Sequence, residues 1–396
     1  MVQRGEFHFR SSAKALEQTC DESYLYFCPL LGKSLTRRRI DSLRWTDAGA
    51  GGRTLKIPSR LCSSVLAAAL LSTFVVAQAP DKLRLIQTIP LPGVTGRLDH
   101  MDVDVKGQRL FVAGLEKGSV EVVDLATNQW KRSIPGFQKP QGIAYVGSLN
   151  KLFVASGDDA TLRVFRADTL DLLDTIRLKT GSNRVAYDPR TKLLYVGYGG
   201  DDAGKEQGEI GIIDAQGDKH IDDIHVSAHP AELLLDRSGD TLYVFVSLKK
   251  EIEVIDTRAR RVKSTFPVSS QRPGDAVFDE STNRLLVGTR IPANMIAMNS
   301  QTGKEVAKLP TAEGMDGVYF DAKRKRIYIS GGRAADAGFV FIYQQLAPDH
   351  YETIAKISTR PGAGTSFFSP ELDRYYVAAP SSDKQTAAIL VFEPQP

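Results

Sequence analysis

His100, Arg184, Glu232 and Asp275 stand at one matching point in four copies of a repeated chain phrase, and Thr365 stands there in a fifth. One residue earlier in the phrase come Asp99, Gln141, Asn183 and Asp316, and close by lie Arg97, Lys139, His229 and Arg272. Three chemistries suit such a set. Glu232 and Asp275 are oxygen donors of the kind that holds Ca²⁺ or Mg²⁺. His100 or His229 beside a carboxylate is a candidate general base. The whole set, with ionisable groups of both signs, suits a polar ligand, because such groups, when buried, need pairing with each other or with a ligand. The third is the main expectation. Arg184 lies between the two candidate metal ligands and would repel a cation, and no serine nucleophile elbow supports hydrolysis. No catalytic residue is assigned and no cofactor is expected. A cation at Glu232 and Asp275, and with it a metal-dependent, lactonase-like hydrolase, stays as an alternative.

These residues share a level only because the chain repeats. Each copy carries a basic or polar residue followed by large apolar, aromatic or aliphatic, and Val or Ile. The series runs Arg109-Leu110-Phe111-Val112, Lys151-Leu152-Phe153-Val154, Leu193-Leu194-Tyr195-Val196 and Thr241-Leu242-Tyr243-Val244. It closes with Arg284-Leu285-Leu286-Val287, Arg326-Ile327-Tyr328-Ile329 and Arg374-Tyr375-Tyr376-Val377. Their last residues are 42, 42, 48, 43, 42 and 48 positions apart. A period of about 40–45 residues with four short strands is the signature of a propeller blade. The expectation is an all-β, seven-bladed β-propeller over residues 78–396.

The remaining strands follow from alternation. A third strand is read at Ser119–Asp124, Glu209–Asp214 and Glu251–Asp256, and an amphipathic fourth at residues 130–134, 172–178 and 262–268. Blade seven stops after its third strand, residues 388–392, so residues 83–89 are expected to supply the fourth and close the ring. The inner strands align on Asp104, Val146, Asp188, Asp236, Asp279, Asp321 and Ser369. Function is expected on the loops entering them and on those joining strands two and three, which open on the same face. Two of the latter are long, at residues 199–208 and 331–338. The string Gly197-Tyr198-Gly199-Gly200-Asp201-Asp202 is read as a solvated loop, since no helix follows to make a phosphate cradle. His220 and His225, five apart on an outer strand, are expected on opposite faces. Trp130 and the second-strand aromatics read as packing.

The phrase pattern resembles the YVTN-repeat propellers, specifically the YncE-like exported proteins. The best-matching stretches are Arg97-Leu98-Asp99-His100-Met101-Asp102-Val103-Asp104, Lys139-Pro140-Gln141-Gly142 and Pro370-Glu371-Leu372-Asp373-Arg374. The resemblance covers roughly 80–396. It implies an exported seven-bladed propeller and transfers no dependable active-site motif; fold alone carries little functional weight.

Export is also read from the N-terminus. Lys56 and Arg60 precede an uncharged run over residues 61–77 that ends Val75-Val76-Ala77, a signal-peptide pattern with cleavage after Ala77. Residues 55–77 are therefore expected to be a signal peptide, with translation starting near Leu55 and residues 1–54 an untranslated or disordered extension. With the leader cleaved, no stable membrane span is expected. The net charge of +4 is concentrated in this region, where residues 1–60 hold 11 Lys/Arg against 6 Asp/Glu. The body is close to neutral, which offers no electrostatic footprint for nucleic acid. Cys20, Cys28 and Cys62 leave the body without cysteine, which excludes disulfides and thiolate metal sites there. The functional expectation is a periplasmic or secreted binding or scaffold protein taking a small polar ligand, a peptide or an exported protein. A structural interaction module working through its side surface is a further alternative.

Overall fold

The computed structural model describes residues 82–396 apart from Ser247 and residues 334–336. The expected leader, residues 1–77, and all three cysteines lie outside the described residues. Among the described residues, 28 strands form seven antiparallel sheets of four. The fold is a seven-bladed β-propeller.

Each blade runs from an inner strand outward. Blade one comprises Met101–Asp104, Arg109–Gly114, Ser119–Asp124 and Gln129–Pro135. The other inner strands are Pro140–Val146, Val185–Asp188, Pro230–Leu235, Gln271–Asp279, Met315–Asp321 and Ser366–Ser369. Each touches the next, and the last returns to the first. The aligned aspartates cap the turns that follow these strands. Asp104 accepts from the Gly107 amide at 2.8 Å, Asp279 from Ser281 N at 3.1 Å, and Asp321 from Arg324 N at 3.1 Å. A short carboxylate satisfies turn amides that would otherwise be orphaned, so the recurring Asp is a folding signal.

The second strands carry the core. Phe111 of blade one is fully buried against Ile143, Leu152 and Val154 of blade two. Tyr195 of blade three packs on Leu233 and Leu242 of blade four. Tyr328 of blade six sits 5.6 Å from Phe368 and 5.3 Å from Tyr375 of blade seven, ring centroid to centroid. The apolar–aromatic–Val phrase therefore recurs because every blade has to bury one face against the next. Trp130 packs partly into the cluster joining blades seven and one, and its indole N–H donates to Glu121 at 2.6 Å.

The ring closes as expected. Leu83–Pro90 pairs antiparallel with Ala388–Pro394, from Leu83 opposite Pro394 to Pro90 opposite Ala388, with a bulge at Ile86. Ile89 is fully buried among Leu110, Val112 and Tyr376, so the first strand joins blade seven to blade one through side chains as well as the ladder. Joining the first and last strands of the propeller in one sheet leaves no unpaired edge at the seam.

Candidate ligand site at the channel mouth

The starts of the inner strands converge on a cavity of about 260 Å³. Arg97, Asp99 and His100 line it from blade one, Lys139 and Gln141 from blade two, and Asn183 and Arg184 from blade three. His229 comes from blade four, Arg272 and Asp275 from blade five, and Asp316 from blade six. The two other expected residues contact this lining without belonging to it. Glu232 pairs with Arg184 at 2.9 Å, and the Thr365 hydroxyl donates to Asp316 at 2.9 Å.

Two ion networks hold the lining. In the first, Arg184 binds Glu232 and Asp275 together. In the second, Asp316 takes Arg97 at 2.9 Å and Arg290 at 2.7 Å, and Arg97 also lies 3.3 Å from Asp99. The electrostatic consequences differ from carboxyl to carboxyl. Burial pushes the Glu232 carboxyl up, although Arg184 opposes the shift. Burial acts the same way on Asp316, but Arg97 and Arg290 outweigh it and hold that carboxyl well below the usual range. Arg97 is raised in turn by Asp99 and Asp316. Burial and the Arg184 charge lower His100 to about 4, so its ring is neutral near pH 7; Nδ1 lies 3.1 Å from Asp99 Oδ1, which accepts from the His100 backbone amide at 2.9 Å. Desolvation pushes Asp102, partly buried two residues on, up to about 6 despite its accepting from the Tyr145 and Val103 amides.

His229 is fixed from one side and open on the other. Its Nδ1 donates to the Gly199 carbonyl at 2.8 Å, which leaves Nε2 facing Asn183 Nδ2 at 3.4 Å and the Asp202 carboxylate at 3.5 Å. Gly200 makes this possible: it has φ +69°, and a Cβ there would lie 2.3 Å from the His229 nitrogen. Gly142 is required in the same way, since a Cβ would meet the Asn183 carbonyl at 2.0 Å.

Several buried polar atoms of the lining have no protein hydrogen-bond partner: Asp99 Oδ2, Asn183 Oδ1, Arg184 Nε and Asp275 Oδ2. Asp99 Oδ2 has the Arg97 guanidinium 3.3 Å away; buried polar groups are almost always satisfied, so the other three atoms call for a partner from outside the chain. Two of these three, Asn183 Oδ1 and Asp275 Oδ2, are acceptors.

Asp201, Asp202 and Arg290 also line the cavity and were not anticipated. The aspartates sit in the blade-three insertion read as a solvated loop, on a three-residue 3₁₀ turn over Asp201–Ala203. Arg290 carried a signal. The corresponding position three residues after the second-strand phrase is Leu115, Gly157, Gly199, Ser247, Gly332 or Pro380 in the other blades, and basic only in blade five.

One expectation is corrected. His220 and His225 share a face, because a bulge at Ile221 in the strand Lys219–Val226 restores their parity. His220 Nε2 lies 2.7 Å from Asp223, and His225 Nδ1 lies 3.3 Å from Glu209, with Lys179 between the two carboxylates. Among the described residues, no group of three or more His, Cys, Asp or Glu is placed to hold a metal ion. The candidate cation ligands Glu232 and Asp275 have the Arg184 guanidinium as their shared counter-ion.

No family model and no curated protein matches this chain. Among solved structures it is similar to a chain of Kuenenia stuttgartiensis hydrazine synthase, 19% identical, covering 70% of this chain and 91% of that one, with a TM-score of 0.62. It is also similar to a chain in a crystal structure of the mitotic checkpoint complex, 13% identical, covering 84% of this chain and 99% of that one, with a TM-score of 0.64. At these identities the likeness is one of fold.

Proposed function

We propose that this chain is an exported binding propeller, similar to the YncE-like proteins, that takes a small polar ligand or the end of a peptide at its channel mouth. The observation that carries this reading is the clustering of four buried polar atoms without a hydrogen bond around one cavity lined by polar and charged groups from six blades. A rigid scaffold presenting convergent polar side chains in a concave site is how binding sites are built. The lactonase-like alternative has less support, because a Ca²⁺ or Mg²⁺ ion needs about six oxygen ligands and, among the described residues, no group of three His, Cys, Asp or Glu is placed to hold one. Periplasmic or secreted location rests on the residue pattern over 55–77 and on the family resemblance.

A thermal-shift screen of the purified protein tests the reading, with sugars, carboxylates, amines, amino acids and short peptides as probes. At about a hundredfold its Kd, a specific ligand raises stability by about 2.7 kcal/mol. A stabilising probe whose effect is lost in Arg272→Ala supports the site. Stabilisation that survives this change and Lys139→Ala moves the binding surface to the blade sides.

A further inference from the structure

We infer that the ligand of the channel mouth is a small zwitterion, an α-amino acid or a short peptide, with its ammonium group deep in the cavity and its carboxylate at the rim. This rests on the binding reading above and specifies its chemistry. The deep end of the cavity asks for donors. Asp275 and Asp99 are almost fully buried, each with one carboxylate oxygen lacking a hydrogen bond, that of Asp99 lying 3.3 Å from Arg97, and Asn183 Oδ1 on the same cavity lacks one too. Acceptors without a hydrogen bond, in an ion network whose four carboxylates (Asp99, Glu232, Asp275 and Asp316) outnumber its three guanidiniums (Arg97, Arg184 and Arg290), suit a group that carries several N–H bonds and a positive charge.

The rim asks for the opposite. Arg272 is half-buried, lines the cavity and makes no ion pair or hydrogen bond with the described residues. Lys139 has only the exposed Asp158 at 3.8 Å. Both cations sit in the left-handed backbone region, Arg272 at φ +54° and Lys139 at φ +62°, and each precedes a proline. Among the described residues, every other non-glycine residue in that region lies in a hairpin connection within a blade. Long cationic residues held in a disfavoured conformation at a site, Arg272 with no internal counter-charge and Lys139 with only a long, exposed one, are side chains placed for a ligand anion. The cavity also sets the size. About 260 Å³ lined almost wholly by charged and polar groups admits a compact ligand without a large apolar body.

Calorimetric titration of the purified full chain tests this with glycine, L-alanine, L-glutamate, glycylglycine and triglycine. Each has a counterpart stripped of one charge, either N-acetylated or amidated. The expected result is saturable binding of at least one zwitterion, weakened tenfold or more by either modification. In Arg272→Ala, affinity falls tenfold or more and amidation makes little further difference. Glycine and the two peptides separate a free amino acid from a peptide as the source. Binding of succinate, putrescine or glucose with all zwitterions silent overturns the inference while leaving a polar site in place. No binding of any probe overturns both.

Discussion

Arg184 of blade three binds Asp275 of blade five, reaching past blade four, whose Glu232 it also holds at 2.9 Å. One guanidinium therefore ties three blades together at the channel mouth. Asp275 is nearly inaccessible and Glu232 largely covered, so both carboxylates depend on this partner.

Arg184→Ala should consequently destabilise the fold by about 3–5 kcal/mol at pH 7, the usual cost of leaving a buried charge without its partner. Replacing all three residues together, as Arg184→Leu with Glu232→Gln and Asp275→Asn, should recover most of that loss. Urea denaturation of the wild type and the two variants measures both effects.

His100 and Asp102 should oppose each other in the pH dependence of stability. The folded-state value of His100 is lowered to about 4, so between about pH 4 and 6.5 the unfolded chain binds the extra proton and stability rises with pH. That of Asp102 is raised to about 6, so between about pH 4 and 6 the folded chain holds the extra proton and stability falls with pH. Each contribution is on the order of 3 kcal/mol. Relative to the wild type, His100→Gln should steepen the fall across this window and Asp102→Asn should steepen the rise. Denaturation midpoints at half-unit pH steps read out both slopes.

The closing strand provides a stability contrast between near neighbours. Ile89 is fully buried at the seam between blades seven and one, whereas Ile86 is 39% exposed at the bulge. Ile89→Ala should cost about 2–5 kcal/mol, and Ile86→Ala should stay within about 0.5 kcal/mol. Equal effects would show that the first strand does not close the ring as described.

The blades were legible because burial between neighbours imposes the same residue phrase on every second strand, and the phrase around Phe111 or Tyr195 survives without reference to its partners. Most of the mouth was legible for a related reason: once the inner strands are aligned, Asp99, Arg184 and Asp275 fall at one level. What escaped was aperiodic. Asp201 and Asp202 reach the cavity through an insertion whose path no repeat describes. The bulge at Ile221 reverses the side-chain parity on which the reading of His220 and His225 depended. Arg290 lies outside the inner strands, and nothing local announces that its guanidinium meets Asp316 of the next blade.

Histidine NMR tests the central claim, that a ligand binds at the channel mouth, most directly. His100 and His229 line the cavity, while His220, His225 and His350 lie on outer strands and serve as internal controls. The account predicts that titration with a stabilising ligand moves the ring resonances of His229 and His100 saturably and leaves those three in place. Movement confined to His220, His225 or His350, with His100 and His229 unchanged at saturation, would contradict it.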